Sequence, residues 1–361
     1  MINNDNLKEK AKKLPELPGV YLMKDSLENV IYIGKAKMLR RRVIQYFYNL
    51  KNRPSKIEKL VLNIHDFQYI TTDTELDALL LECKLIKDMK PVYNSLMKNT
   101  SRYCYIKINL NELYGFPEIV LEKEEDSSYY FGPYSSQSLI KETLDNIFEV
   151  IPFIRCSKNP LKKSRCYGRD FYNCRVVCQG VLEQEKYNYN LLKLKEILNK
   201  ENEDFLEILK GEMEAASLVL NFEKAKLIRD TINNISIITS LQGIINLAKE
   251  MKSVIVINRI DENFLKIFCI KGNKILYKEK IKLEEFYRDL NINAVKIRSI
   301  FLRNSMDTLS LTKEDIDEAN IIYSYIKNKN NNLNFFVLED TYIHNTKIIE
   351  EEIKKLIKFN E

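Results

Sequence analysis

The 361-residue chain has no tryptophan, only two histidines and only nine glycines. Tyrosine and phenylalanine therefore carry the aromatic content, and tyrosine can also supply a hydroxyl. With so few glycines, each one is worth reading individually. The two histidines are His65 and His344, and His344, with Asp340 nearby, reads as a surface residue rather than a metal ligand. No basic segment followed by an apolar stretch opens the chain, so no signal peptide is expected. No run approaches the ~18 apolar residues of a membrane span, so the expected location is cytoplasmic, with no membrane partner. Seven cysteines is an odd number, and the cytosol is reducing, which argues against a disulfide framework.

Hydrophobic residues make up 45% of the chain, enough for packed cores and too many for wholesale disorder. The length allows two or three domains. The formal net charge is only +6, but it is unevenly spread. Residues 1–100 carry 18 Lys and Arg against 12 Asp and Glu. Residues 155–175 carry seven basic residues against Asp170 alone, whereas 196–240 are acidic. Two basic blocks suit a polyanion such as DNA, although charge runs are also common on solvated surfaces.

The pattern along the chain is that of an α+β and α/β multidomain protein. Strands are expected at 19–23, 29–33 and 67–72, a basic helix from Ala36 to Phe47, and a long helix from Glu75 to Met89 stopped by Pro91. Short strands follow at 103–108, 118–121 and 129–130, then a Gly132-Pro133-Tyr134 turn and a helix near 137–148. Residues 203–240 read as two helices meeting at Asn221-Phe222, with 241–250 as a link. The remainder gives strands at 253–258, 264–270, 274–279 and 335–338, and helices at 283–290, 313–327 and 344–358. The domains expected are 14–100, a connecting and cysteine-rich region 101–195, a helical hairpin 200–240 and an α/β domain 250–361.

The stretch from Gly19 to Asn94 holds the candidate site. Gly19-Val20-Tyr21 is followed, with ten residues between the tyrosines, by Tyr32-Ile33-Gly34-Lys35. If the two strands pair as a hairpin, both phenols can reach one cleft. Gly34 would permit close backbone approach. Arg42 can hold a phosphate bidentately, and Tyr46, one helical turn on, shares its face. Glu82 is the expected ligand of a hard cation, since one carboxylate with several waters suits Mg²⁺ or Mn²⁺. A tyrosine acts as a base only if its pKa of ~10 is lowered, and Lys35 is the expected cation for that. These are the parts of a phosphodiester-hydrolysing site.

In its residues and spacing the stretch resembles the GIY-YIG nuclease domain of the UvrC family, the incision subunits of bacterial nucleotide excision repair. The resemblance implies site roles for Tyr21, Tyr32, Lys35, Arg42, Tyr46, Glu82 and Asn94, the last in the tail Pro91-Val92-Tyr93-Asn94. Either tyrosine could be the general base, with Tyr32 favoured. Cys156, Cys166, Cys174 and Cys178 are separated by nine, seven and three residues, and thiolates at that density suit a metal. The family likeness implies a [4Fe-4S] cluster, with Zn²⁺ as the alternative. Cys83, Cys104 and Cys269 read as buried small apolar residues. The 207–237 hairpin looks like the UVR motif, which implies pairing with UvrB around Phe222.

The resemblance thins after residue 250. The last third is loosely like the first half of the UvrC RNase H-like region, and neither the second nuclease site nor a helix-hairpin-helix module is recognisable. The implied function is thus one metal-dependent cut in damaged duplex DNA, on the 3′ side of the lesion. The rival readings are a non-catalytic DNA-binding repair adaptor and a stand-alone GIY-YIG nuclease of a mobile element.

Overall fold

The computed structural model describes residues 2–48, 54–94, 103–111, 116–150, 184–199, 204–304, 313–328 and 333–358. The chain divides into two compact units, one made of residues 1–100 with 247–361 and the other of 101–246.

The first unit opens with helix α1 (Ile2–Lys12), followed by the hairpin β1 (Gly19–Lys24) and β2 (Val30–Ala36). The Asp25 carboxylate accepts from the main-chain N–H groups of Leu27 and Asn29 at 2.9 Å each and so builds the hairpin turn. Helices α2 (Leu39–Tyr48) and α3 (Ser55–Asn63) lead to β3 (Asp66–Thr71), which pairs antiparallel with the other edge of β1, giving the order β2-β1-β3. Helix α4 (Glu75–Met89) closes this part. It starts where Thr74 accepts from the Asp77 N–H, and ends at Lys90 in the left-handed conformation, just before Pro91. Its Ala78 and Ile86 pack on Val20, Leu22 and Ile33 of the sheet.

Two glycines explain the close assembly. A Cβ on Gly19 would run into the Ile70 carbonyl of β3, and a Cβ on Gly34 would overlap the phenol of Tyr21. Tyr21 and Gly34 are paired across the hairpin, so the ring lies over the glycine.

The later part of the same unit is an antiparallel sheet of β7 (Ser253–Arg259), β8 (Phe264–Lys271), β9 (Lys274–Lys282) and β10 (Leu333–Leu338), in the order β10-β7-β8-β9. One face, with Ile255, Ile257, Leu265, Ile267 and Cys269, is buried together with Phe286, Ile297, Phe301, Ile349 and Ile353. Those five come from α9 (Leu283–Arg288), α10 (Leu290–Arg303) and α12 (Thr346–Lys358). Alternate residues such as Val256 and Phe268 point to the opposite face and are also buried. Helix α11 (Lys313–Lys327) packs against α4 and touches β9 and β10.

The second unit pairs β5 (Glu118–Val120), β4 (Cys104–Ile108) and β6 (Tyr129–Tyr134), and adds α5 (Gln137–Val150), α6 (Gln184–Asn199), α7 (Asp204–Leu218) and most of α8 (Phe222–Lys249). Here three expectations change. Gly132-Pro133-Tyr134 is not a turn but the end of β6, because Gly132 N–H and Tyr134 O–H both donate to Gln242 Oε1 at 2.8 Å and a register shift in β4 accommodates the proline. Residues 241–249 are not a link but the continuation of α8, which no proline interrupts. Helices α6 and α10 had no counterpart in the expected elements. The four clustered cysteines, Cys156, Cys166, Cys174 and Cys178, lie outside the described residues. No described helix is long and apolar enough to cross a membrane.

Candidate active site

Three phenols form the centre of the site. Tyr21 from β1, Tyr32 from β2 and Tyr46 from α2 make a triangle of rings with centroids 5.8 to 6.3 Å apart. The hydroxyls of Tyr21 and Tyr46 are 3.0 Å apart and share a hydrogen bond. Tyr21 is 1% exposed, so it lies beneath the other two. Arg42, one turn before Tyr46 on α2, places its guanidinium carbon 5.8 Å from the Tyr46 ring centroid, within range of a cation–π contact.

Glu82 reaches the same place from α4. Its Oε1 accepts from the main-chain N–H of Lys35 at 2.9 Å, which ties the carboxylate to the end of β2. Its Oε2 has no hydrogen-bond partner among the described residues. Glu82, Tyr32, Arg42, Tyr46 and Asn94 line one cleft of about 310 Å³. The other walls come from Lys56, Ile57 and Leu60 of α3, from Ile86 and from Tyr93. Asn94 braces the wall: its Oδ1 accepts from Ile33 N–H at 2.9 Å, and its Nδ2 donates to Ile33 carbonyl at 2.8 Å. The cleft thus brings together Tyr32, Arg42, Tyr46, Glu82 and Asn94. Tyr21 lies behind it. Lys35 does not line it, and its main-chain N–H holds the Glu82 carboxylate instead.

Lys35 requires a correction. Its ammonium is not aimed at a phenol but paired with Glu75 Oε1 at 2.5 Å. Accordingly neither Tyr21 nor Tyr32 is made more acidic. Burial first, then the neighbouring phenols Tyr46 and Tyr32, raise Tyr21 well above the ordinary range. Tyr32 is likewise pushed up by burial, then by Tyr46, with Glu82 adding and Arg42 opposing. Glu82 itself is raised by burial, against the Lys35 N–H and the charges of Lys35 and Arg42. Burial is the common cause at all three groups; neighbouring phenols add to it at Tyr21 and Tyr32, and Arg42 opposes it at each.

Two residues near the site were not anticipated. Glu75 sits two turns before Glu82 on one face of α4, so an i, i+7 spacing was there to be read. Lys56 had no sequence signal, because its neighbour Lys59 fits the pattern equally well. Among the described residues no group of three or more His, Cys, Asp or Glu could hold a metal ion. The donor set here is one carboxylate with a spare oxygen, opening into a cleft. That set fits a hard cation that keeps most of its waters. The three described cysteines, Cys83, Cys104 and Cys269, are free and buried, and burial pushes their thiols up to about 11, 11 and 12.

A second feature lies at the tip of the α7–α8 hairpin. Leu218 is 85% exposed and Phe222 65%, with Val219 and Leu220 also exposed between them. Asn221 caps α8 by accepting from Lys224 N–H at 3.1 Å. Arg229 and Asp230 pair with each other at 2.8 Å.

Comparison with known proteins accounts for much of this. Residues 17–95 match the UvrC-like GIY-YIG domain, 103–197 the middle domain of UvrC/Cho excinucleases, and 203–238 the UvrB/uvrC motif. UvrABC system protein C of Acetivibrio thermocellus is 36% identical over 337 residues, which cover 90% of this chain and 53% of that one. The Alkaliphilus oremlandii protein of the same name is 33% identical over 341 residues, covering 91% and 54%. The chain thus spans about half the length of these relatives. Among solved structures, the GIY-YIG N-terminal endonuclease domain of UvrC from Thermotoga maritima, bound to magnesium as its catalytic divalent cation, is 34% identical. It covers 25% of this chain and 98% of its own, with a TM-score of 0.23.

Proposed function

The chain belongs to the UvrC family, and we propose that its cleft is the active site of a divalent-metal-dependent DNA endonuclease acting in nucleotide excision repair. The observation that carries this reading is the convergence of the Glu82 carboxylate, the Tyr32 phenol and the Arg42 guanidinium on one open cleft.

Glu82 would hold the ion through the oxygen that Lys35 does not occupy. A bound Mg²⁺ or Mn²⁺ supplies positive charge that polarises a phosphate and makes nearby water and phenol groups more acidic. Arg42 would hold the non-bridging oxygens of the scissile phosphate and oppose the charge that builds on them. Tyr32 is the phenol that lines the cleft beside Glu82, so its phenolate, left once its own proton has gone to solvent, would take the proton of the attacking water. Tyr46 keeps Tyr32 in place, and buried Tyr21 orients the Tyr46 hydroxyl. Asn94 holds the main chain on either side of the Ile33 peptide groups, next to Tyr32. Lys35 acts by fixing Glu82 through its N–H and Glu75 through its ammonium.

The exposed apolar tip of the hairpin, Leu218 to Phe222, is assigned to UvrB, whose own motif of this type would cover it. The cut is assigned to the 3′ side of the lesion, as the resemblance to the UvrC family implies. The deciding experiment is nicking of a lesion-bearing duplex, with and without UvrB, by the wild type, Glu82→Ala, Tyr32→Phe and Tyr21→Phe. The expected result is metal-dependent nicking that Glu82→Ala and Tyr32→Phe abolish and Tyr21→Phe weakens. DNA binding without any nicking would turn the reading to the repair adaptor.

A further inference from the structure

Helix α4, which carries Glu82, is held from two sides, and its second support comes from nearly 200 residues further along the chain. Asp77, in its first turn, is 4% exposed. Its Oδ1 takes a hydrogen bond from the Lys278 ammonium at 2.6 Å, and its Oδ2 lies 2.9 Å from the Lys266 ammonium. Thr74 Oγ1 donates to the same carboxylate at 2.8 Å. Lys266, itself 7% exposed, also pairs with Asp73 at 2.6 Å, just before the helix. On the far side of Glu82, Lys87 pairs with Asp317 of α11 at 3.3 Å.

The strand lysines are arranged in a way that needs an anion. Lys266 on β8 is directly opposite Lys280 on β9, and Lys278 is two residues away on the same face. Like charges directly opposite on a sheet repel. Asp77 binds two of these lysines, and Asp73 binds Lys266 and lies 3.7 Å from Lys280. A buried carboxylate with two ammonium partners is geometrically demanding: removing one partner leaves an uncompensated charge, so the pair tolerates little displacement. Glu82 is five residues from Asp77 and five from Lys87, about 7.5 Å along the axis each way. Anchors at both distances fix the rise and the rotation of the turn that carries Glu82.

Resting on the assignment of Glu82 as metal ligand, we infer that the β8–β9 lysines and α11 position the catalytic carboxylate, with Asp77, Lys266, Lys278 and the Lys87–Asp317 pair as positioning residues. The α/β part of the chain after residue 250 then contributes to turnover without touching DNA. A displacement of about 1 Å at a reacting group can lower a rate about 100-fold, so a partial loosening of α4 predicts a loss of about tenfold.

The test uses the full chain with Lys266→Met, Asp77→Asn, Lys278→Met and the Lys266→Met/Asp77→Asn double variant, beside Glu82→Ala. Lys278 is half exposed, so its variant tests the idea even if the buried ones fold poorly. Nicking should show kcat lowered about tenfold, KM for DNA within about twofold, and a higher half-saturating Mg²⁺ concentration. The double variant should be no worse than the worse single one, as expected for partners in one cluster. Amide exchange in 78–87 should quicken in each variant. Unchanged kcat and Mg²⁺ dependence, with only a lower melting temperature, would make the cluster merely structural and overturn the inference. If Glu82→Ala nicks as well as the wild type, the metal-ligand assignment fails. Amide exchange then decides the remainder: unchanged protection of α4 would overturn the clamp as well.

Discussion

Replacing Lys56 with alanine tests whether the cleft carries DNA. Lys35 is spent on Glu75, so the cations left on the cleft wall are Arg42 and Lys56. Lys56 is exposed, has no ion-pair or hydrogen-bond partner among the described residues, and lies in the first turn of α3. Buried Leu60, one turn on, anchors that helix and is untouched by the change. Stability should therefore stay within about 0.5 kcal/mol, as for other surface substitutions. If Lys56 meets one phosphate, its loss removes one released counterion. The slope of log affinity against log salt should shrink by about 0.9. At physiological salt an exposed contact of this kind contributes about 1 kcal/mol, or about fivefold in Kd. The assay is anisotropy of a labelled duplex, titrated at several salt concentrations between about 50 and 200 mM in a Glu82→Ala background that prevents cutting. Lys56→Arg should keep the wild-type slope. An unchanged slope in Lys56→Ala, with normal folding, would refute a phosphate contact at Lys56.

Other consequences are equally direct. Gly34→Ala puts a methyl into the Tyr21 phenol and should cost about 1–3 kcal/mol in urea unfolding, with nicking lost in parallel; wild-type stability would show that the ring can move aside. Asn94→Ala removes both bonds to Ile33 and should lose about 1–3 kcal/mol, whereas Asn94→Asp keeps the acceptor and should lose less. Glu82→Gln should raise the melting temperature of the metal-free protein at neutral pH. The sign follows from the raised pKa of Glu82: its ionised form is disfavoured by folding, so that handicap is absent below the ordinary carboxylate range and appears as pH rises through it. The advantage of Glu82→Gln should fade at acidic pH and also when Mg²⁺ is added, since Mg²⁺ should stabilise the wild type alone.

How much of this could be read beforehand differs by element. Helix α4 was legible to its ends, because Thr74, the apolar spacing and Pro91 all agree. The β1–β2 hairpin followed from two tyrosines on neighbouring strands, but only Tyr32 lines the cleft, while Tyr21 is buried behind it. What was not legible depended on contacts distant in sequence. Lys35 looked like a partner for Tyr32 because the two are close along the chain, but alternate strand residues face opposite ways, and Lys35 meets Glu75 on α4 instead. Gly132 to Tyr134 has turn composition, yet Gln242, 108 residues from Tyr134, draws it into a strand. Only Asp289 separates α9 from α10, and its side chain makes no capping hydrogen bond, so the two read as one helix.

The correction at Lys35 changes how the site works. A lysine beside Tyr32 would have made the phenol a base without help. With that ammonium bound to Glu75, burial raises Tyr21, Tyr32 and Glu82, with Arg42 opposing at each. Each of these shifts has the same remedy, a cation placed at the unpartnered oxygen of Glu82. Under the proposed function, a cation held there would polarise the phosphate and would also favour the ionised forms of Glu82 and Tyr32. The position of Glu82 then matters more than the acidity of any one tyrosine. That is a physical reason for α4 to be anchored on both sides of it, by Asp77 on Lys266 and Lys278 and by Lys87 on Asp317.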